Sequence, residues 1–317
     1  MSPDVALTTR ALIADAANRL TKAGVSSPVV DAELLLAHVL ECGRGGLILT
    51  RSVTEDQVRE YNHLVEQRCR RRPLQHITGL APFRRLEVAV GPGVFVPRPE
   101  TEILAELVIR DLKRRQQEGA SRLTVFDLCS GSGAMTLSIA TEVSNIDMTA
   151  VELSDEAVMW LQRNVAAHAD AVAKAGSVVT VIHADVTSAK LPLHADVIVS
   201  NPPYIPDGAV PQEKEVAHYD PPMALYGGRD GMDIVRVIAA RAAQCLGAGG
   251  FLAFEHADVQ GDTAEYGVAA VLRSTPDIWE RITTLRDLAG RPRVTSAYRT
   301  GVVSPRALDA VNITPAT

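Results

Sequence analysis

The tetrapeptide Asn201-Pro202-Pro203-Tyr204 is the part of this chain with the clearest capacity for chemistry. It follows an apolar run, residues 197–200, that is typical of a buried strand. Because proline has no N–H and fixes its own φ, the two prolines must end that strand and leave the Asn201 side chain at the edge of the sheet. An amide, a carbonyl and an aromatic ring there offer acceptors and a stacking face. The pattern predicts a site for a planar amide or amine, although Asn-Pro alone is equally a strand terminator.

A second predicted site lies where the strand-like run 125–128 enters a turn of small residues, followed by a helix near Ala134. Small residues let the backbone approach a ligand, and the N–H groups of a helix N-terminus favour a polar group. A dinucleotide fingerprint would need a third glycine where this chain has Met135-Thr136. The residues expected to contact a ligand here are Asp127, Cys129, Ser130, Gly131, Ser132 and Gly133.

Polar residues at the next two predicted strand ends extend this pocket. Glu152 lies about 20 residues beyond the last glycine, a position from which a carboxylate can accept both hydroxyls of a ribose. Asp185 and Val186 follow the third strand, where they could flank an adenine ring. Either acid alone could simply cap a helix. Together the strand ends predict a nucleoside site, and the lack of a phosphate-binding lysine favours S-adenosylmethionine as the ligand.

The elements that must position these residues alternate between strand and helix from Leu123 onward, which predicts an α/β, Rossmann-like fold with a mostly parallel sheet. A final pair of runs around Gly290, 282–285 and 294–298, predicts an antiparallel hairpin at one edge of that sheet. The predicted strands lie near 123–128, 147–152, 178–183, 195–200 and 250–255, and the predicted helices near 133–143, 155–168, 230–246 and 259–273.

The length of 317 residues predicts two domains. Helical periodicity and the capping pair Thr54 and Gln57 predict a small helical bundle over 1–80. Two β-like runs, Leu86–Val90 and Val94–Val96, predict a hairpin linker over 81–96. We assign 97–301 to the catalytic domain, and we expect 302–317 to be a disordered tail because it lacks periodicity.

Composition excludes several function classes. The formal net charge of −6 argues against direct binding of nucleic acid through bulk attraction. Cys42, Cys69, Cys129 and Cys245 lie too far apart to predict a zinc site or a disulfide framework, so no metal is expected. No signal-peptide pattern and no run of ~18 apolar residues is present, which predicts a cytoplasmic protein that does not enter membranes. A basic run, 68–72, is consistent either with a helix end or with a contact for an acidic protein.

Several stretches together resemble the release-factor-specific protein glutamine N5-methyltransferases, the HemK/PrmC family, over about residues 27–299. The turn "DLCSGSGA", the segment "VELSDEAV" and the run "ADVIVSNPPYI" are similar to Rossmann-like class I S-adenosylmethionine methyltransferases that modify nitrogen. The narrower resemblance rests on "PVVDAELLLAHVL", "RRRPLQHITG", "FVPRPETE", "DPPMALYGGRDGMD", "FEHADVQGD" and "DLAGRPRVTSAY". Two residues depart from the family pattern: Cys129 replaces a usual glycine, and Glu152 stands where aspartate is also common.

The resemblance implies methyl transfer from S-adenosyl-L-methionine to the glutamine of the Gly-Gly-Gln motif of class 1 peptide chain release factors, with S-adenosyl-L-homocysteine as product. It implies that Asn201, Pro202 and Tyr204 are catalytic, that Pro203 joins them in binding the substrate, that Asn201 also borders the cofactor, and that the helical domain recognises the protein substrate. One alternative is an adenine-N6 or guanine methyltransferase of DNA or RNA, since Asn-Pro-Pro-Tyr occurs there too. Another is a non-catalytic cofactor-binding interaction protein.

Overall fold

The computed structural model of this chain describes residues 8–50 and 52–301, so the predicted tail, 302–317, lies outside the described residues. The chain forms two compact units. Of the described residues, the first unit contains those up to Leu80 and 211–219, and the second contains 81–210 and those from Asp220 onward. Within the described ranges, no helix has both the length and the apolar character needed to cross a bilayer.

The α-helices of the described residues are α1 (Thr9–Lys22), α2 (Pro28–Val39), α3 (Glu55–Cys69), α4 (Leu74–Thr78), α5 (Thr101–Gln117), α6 (Ala134–Glu142), α7 (Asp155–Ala167), α8 (Ala169–Lys174), α9 (Lys214–Tyr219), α10 (Asp233–Cys245) and α11 (Val268–Arg273). The strands are β1 (Leu80–Phe83), β2 (Leu86–Ala89), β3 (Leu123–Leu128), β4 (Ile146–Glu152), β5 (Val178–His183), β6 (Ala195–Ser200), β7 (Leu246–Glu255), β8 (Trp279–Arg286) and β9 (Pro292–Arg299).

The first unit is a helical bundle built on α1 to α4. Its apolar faces meet in one core that includes the fully buried side chains of Leu20, Leu35 and Val65. At the start of α3, Thr54 accepts a hydrogen bond from the backbone N–H of Gln57, whose side chain accepts one from Thr54 in return. This capping box satisfies two N–H groups that the first helical turn leaves free.

The segment 211–219 belongs to this bundle, although it was predicted to be part of an unbroken catalytic domain. The physical reason is a buried ion cluster. Glu215 on α9 accepts hydrogen bonds from Arg68 and from Arg71, in each case between Oε1 and a guanidinium nitrogen at 2.7 Å. Arg68 also donates to Asp31 on α2 at 2.7 Å. Two members of the predicted basic run are therefore committed to internal pairs.

We expect Glu215→Ala to destabilise the first unit by about 3 kcal/mol, because it removes a carboxylate from two largely buried guanidinium groups. Burial alone raises the pKa of Glu215, but hydrogen bonds from Arg71 and Arg68 outweigh it and lower that pKa to about 2, so Glu215 is ionised at neutral pH. Amide hydrogen exchange in α3 would measure the loss.

Glu66→Ala is the matched control, since Glu66 pairs with Arg70 on the surface of α3. Exposed pairs of this kind contribute less than about 1 kcal/mol. Equal protection of α3 in the two variants would contradict a stabilising role for the buried cluster.

The hairpin before the second unit differs from its prediction. Its strands are β1 and β2, joined at Arg84-Arg85, whereas residues 94–96 form no strand. Arg84 adopts a left-handed φ of +54° and donates to the Glu142 carboxylate at 2.7 and 2.9 Å. Phe83 and Val88 are buried in the core of the second unit. The hairpin is thus part of that unit rather than a separate linker.

The second unit contains a seven-stranded sheet in the order β5-β4-β3-β6-β7-β9-β8. The pairs from β5 to β7 are parallel, and β9 pairs antiparallel with both β7 and β8. Alternate residues of β3 face opposite cores: Val125 packs in one, and Phe126 and Leu128 pack in the other. The predicted fold class and the antiparallel edge are confirmed.

One predicted helix, 259–273, is largely wrong. The structure has a 3-10 turn at Asp258–Gln260 and a short α11, separated by loop residues. Gly261 and Gly267 interrupt the pattern, and a Cβ at Gly267 would approach the backbone oxygen of Gln260 to 2.4 Å. The two glycines, which are poor helix formers, therefore interrupt the predicted helix.

Candidate active site

The residues predicted to do chemistry come together at the carboxyl edge of the parallel sheet. The chain leaves β3 for β4 on one side, whereas β6 pairs with β3 on the other side, so the strand order reverses next to β3. Parallel α/β sheets bind ligands in the crevice outside such a reversal. The turn after β3 and the loops after β4, β5 and β6 all open at this edge.

The turn between β3 and α6 is shaped by residues with positive φ. Cys129 has a φ of +66°, so a cysteine occupies the left-handed conformation that glycine usually provides. Its N–H donates to Val151 at 2.9 Å, and the Ser130 hydroxyl donates to the backbone oxygen of Asp127 at 2.7 Å. Gly133 has a φ of +81°, and a Cβ there would approach Leu161 Cδ1 to 2.5 Å. Backbone strain and packing both require glycine at 133.

Asp127 is fully buried at the end of β3. Its Oδ2 accepts a hydrogen bond from the Thr136 hydroxyl at 2.5 Å, while its Oδ1 has no hydrogen-bond partner among the described residues. Burial, partly offset by that hydrogen bond, raises the pKa of Asp127 to about 7. A buried acceptor without a donor is costly, so this atom is suited to a donor on a ligand.

Glu152 holds the turn after β3 through its carboxylate. Oε2 accepts the N–H of Gly131 at 2.8 Å, and Oε1 accepts the N–H groups of Leu153 and Ser154, each at 2.9 Å. The carboxylate has about four acceptor positions, of which three are engaged with backbone. Glu152 therefore fixes the β3 turn against the β4 loop, a role that its sequence position did not predict.

Three carboxyl groups lie near enough to the Cys129 thiol to act on it electrostatically. Burial is the main cause that raises the pKa of its thiol, and the negative charges of three acids raise it further: Glu152, Asp127 and Asp185. The structure thus brings together the acids that the sequence placed at three strand ends. Asp185 uses Oδ1 to accept the N–H of Thr187 at 2.7 Å, and Val186 packs in the core beneath it. Such a negative pocket favours a positively charged ligand.

Asn201 follows β6 and is fixed from one side. Its Nδ2 donates to the Thr101 hydroxyl oxygen, at the first residue of α5, over 3.3 Å. Within the described ranges, neither Asn201 Oδ1 nor the Pro202 carbonyl accepts a hydrogen bond, so both remain open acceptors. The loop is packed tightly afterwards, because a Cβ at Gly227 would approach the Pro203 carbonyl oxygen to 2.4 Å.

Tyr204 points its hydroxyl toward a buried carboxyl group rather than toward solvent. The hydroxyl donates to Glu255 Oε1 at 3.4 Å, and the Tyr204 carbonyl accepts the side-chain N–H of Gln260 at 2.7 Å. Burial raises the pKa of the Tyr204 hydroxyl. Sequence reasoning missed Thr101, Glu255 and Gln260, although the stretches "FVPRPETE" and "FEHADVQGD" had carried part of the resemblance.

Comparison with known proteins shows the family of this chain. The PrmC N-terminal domain model matches residues 11–79, and the methyltransferase small domain model matches residues 85–219. The release factor glutamine methyltransferase of Mycolicibacterium smegmatis is 40% identical over 92% of this chain and 97% of its own length. The chain belongs to the release factor glutamine methyltransferase family. The namesake in Deinococcus radiodurans is 36% identical over 92% of this chain and 99% of its own.

Membership in this family confirms the resemblance seen in the sequence and identifies the protein as a methyltransferase, which in general terms uses S-adenosylmethionine. Among solved structures, the release-factor-specific protein-(glutamine-N5) methyltransferase of Alicyclobacillus acidocaldarius is 26% identical, with a TM-score of 0.36, and the match covers 67% of this chain and 98% of the other. A methyltransferase of Pyrococcus furiosus is 18% identical, with a TM-score of 0.45 and coverage of 68% and 90%.

Proposed function

We propose that this protein transfers a methyl group from S-adenosyl-L-methionine to the side-chain nitrogen (N5) of the glutamine in the Gly-Gly-Gln motif of class 1 peptide chain release factors. The observation that carries the proposal is the pair of open acceptors after β6, Asn201 Oδ1 and the Pro202 carbonyl oxygen. Two adjacent acceptors match the two hydrogens of a primary carboxamide. The names of relatives at 36–40% identity support the choice of release factors.

An amide nitrogen is a weak nucleophile because its lone pair is delocalised into the carbonyl group. Asn201 Oδ1 and the Pro202 oxygen would each accept one N–H, which turns the lone pair toward the methyl donor. They would also stabilise the positive charge that grows on nitrogen during transfer. Holding the two reactants in line supplies much of the remaining rate enhancement.

Tyr204 and Pro203 would form the wall against which the flat amide lies. The Tyr204 ring is fixed by its hydroxyl contact with Glu255 and by its backbone contact with Gln260, so it loses little freedom when substrate arrives. No general base is required before transfer, because the methylated nitrogen becomes strongly acidic and loses its proton to water.

The residues at the β3, β4 and β5 ends fit the cofactor. When bound, it supplies a methyl group on a positively charged sulfur. Asp127 Oδ1 offers an unused acceptor for its ammonium group, and the surrounding acids complement its positive charge. Glu152 would accept ribose through its remaining acceptor position, while Asp185 and Val186 would border the adenine. The turn between β3 and α6 would border the cofactor through Cys129, Ser130, Gly131, Ser132 and Gly133.

The helical unit would recognise the protein substrate, and the whole reaction would take place in the cytoplasm. A formal net charge of −6 favours a protein partner over nucleic acid and gives no sign of attraction to membranes. Residues 205–210 connect the Asn-Pro-Pro-Tyr tetrapeptide along the chain to segment 211–219, which belongs to the helical unit. The proposed substrate-recognition unit and the proposed catalytic loop are therefore neighbours in the sequence.

Mass spectrometry tests the proposal. A purified class 1 release factor incubated with the protein and S-adenosyl-L-methionine is expected to gain one methyl group on its motif glutamine. Methyl groups found only on added DNA or RNA would instead identify an adenine or guanine methyltransferase. Saturable cofactor binding with no transfer to any of these acceptors would indicate a non-catalytic binding protein.

A further inference from the structure

Behind the Asn201 carboxamide lies a small buried polar cluster that consists of Thr101, Glu255 and Tyr204. Thr101 is 6% exposed at the first residue of α5, and Glu255 is 2% exposed at the last residue of β7. The side chain of Asn201 contacts this cluster through its nitrogen, which donates to Thr101 Oγ1. These three residues lie outside the set that would hold the cofactor at the ends of β3, β4 and β5.

The hydrogen-bonding needs of Thr101 and Glu255 are complementary. A threonine hydroxyl has one proton and two lone pairs, and a lone pair of Thr101 Oγ1 is used by Asn201. Its proton therefore needs an acceptor. Glu255 Oε2 is buried and has no partner of good hydrogen-bond geometry among the described residues. Burial raises the pKa of the Glu255 carboxyl group to about 7, although a hydrogen-bonding interaction with Thr101 partly offsets that rise.

We propose that Thr101 and Glu255 are positioning residues that set which end of the Asn201 carboxamide faces the substrate. Glu255 draws the hydroxyl proton of Thr101, so Thr101 offers its oxygen to Asn201 and can accept only from Nδ2. Oδ1 is then left on the opposite side as an acceptor. This inference rests on the proposed function, because it explains how the Asn201 carboxamide of that same site is oriented toward the substrate.

The direction matters because the two ends of a carboxamide are nearly identical in shape but opposite in hydrogen bonding. With Oδ1 outward, Asn201 accepts an N–H of the substrate amide. With Nδ2 outward, two NH2 groups would face each other, and the growing charge on nitrogen would be destabilised. A site that depends on an amide acceptor therefore needs a device that prevents the side chain from turning over.

A pair of substitutions at Thr101 separates this role from simple packing. Thr101→Val keeps the shape but removes the hydroxyl, and it is expected to lower kcat about tenfold or more, the scale seen when a supporting hydrogen bond is lost. Thr101→Ser keeps the hydroxyl but removes a methyl group, and it is expected to retain at least about a third of the wild-type kcat. A packing role predicts the reverse order, since a buried methyl group contributes about 1 kcal/mol.

A double-mutant cycle tests the connection to Glu255. Glu255→Gln is expected to lower kcat as well, because its amide can donate to Thr101 and no longer fixes the direction of the hydroxyl. If both residues act through Asn201, Thr101→Val combined with Glu255→Gln should be no slower than Thr101→Val alone. Strictly additive losses would overturn the inference.

The measurements are kcat for methylation of a class 1 release factor and the Kd for S-adenosyl-L-methionine, taken with the full chain. A lower kcat with cofactor Kd within about threefold of wild type supports the positioning role. A Thr101→Val variant as active as wild type would overturn it while leaving the proposed function intact. Failure of the wild-type protein itself to methylate the release factor would overturn the proposed function and this inference together.

Discussion

Asn201→Ala is expected to lower kcat for release factor methylation by at least ~10²-fold, the scale of one oriented polar contact made to developing charge. The substitution removes Oδ1, one of the two open acceptors, and leaves the Pro202 carbonyl in place. The fold should persist, because the only described hydrogen bond of this side chain is the one to Thr101. Cofactor affinity should change little, since the acids of the pocket lie on other strands.

Asn201→Asp is the matched variant. It keeps the shape and still presents an oxygen to the substrate, so it is expected to retain more activity than Asn201→Ala. The readouts are kcat from timed methyl incorporation, cofactor Kd by calorimetry and the unfolding temperature. Turnover of Asn201→Ala close to that of wild type would refute a role for this carboxamide in catalysis.

Much of the scaffold could be predicted because its determinants are local. The strands β3, β5 and β6 begin and end at the predicted positions 123–128, 178–183 and 195–200. For β3 and β6 the reason is that buried parallel strands need apolar residues on both faces. The small-residue turn after β3 was recognisable because few sequences allow such backbone angles. The carboxyl ends of parallel strands lie at one edge of a sheet. Asp127, Glu152 and Asp185, which lie at or just after such strand ends, were therefore predicted at the correct edge.

Features that depend on distant residues were not predictable in this way. The hairpin turn is set by Arg84, whose partner Glu142 is 58 residues away. Two arginines of the basic run pair with Glu215, which is 147 residues from Arg68. Thr101 and Asn201 meet across 100 residues. Periodicity and motif spacing describe neighbours along the chain, so side chains that meet only through the tertiary fold leave no such pattern.

The same limit applies to the function of Glu152. Its place at the end of β4 predicted a ribose contact, but the structure shows that its carboxylate also binds three backbone N–H groups. Those bonds hold the turn of Gly131 against the loop of Leu153 and Ser154. A change at this residue should therefore affect the shape of the cofactor pocket as well as any direct contact.

Glu152→Gln is expected to weaken S-adenosyl-L-methionine binding by between about tenfold and 10²-fold, the equivalent of losing one hydrogen bond to a charged group. Glutamine has one acceptor oxygen, so its NH2 group must face either the N–H of Gly131 or the N–H groups of Leu153 and Ser154. The side-chain NH2 group and a backbone N–H group then face each other without an acceptor, so the hydrogen bond that holds the turn after β3 is lost. At saturating cofactor, kcat should fall much less than in Asn201→Ala.

Glu156→Gln provides the control, because Glu156 is an exposed residue in the first turn of α7 and the substitution removes the same charge close by. Calorimetric Kd values for the two variants separate a local contact from a general loss of negative charge. Equally weakened cofactor binding in the two variants would show that negative charge alone attracts the cofactor. A loss of cofactor affinity in Glu152→Gln but not in Glu156→Gln, together with a loss of kcat but not of cofactor affinity in Asn201→Ala, would separate two roles. Cofactor binding would then be assigned to the carboxyl end of β4, and methyl transfer to the carboxyl end of β6.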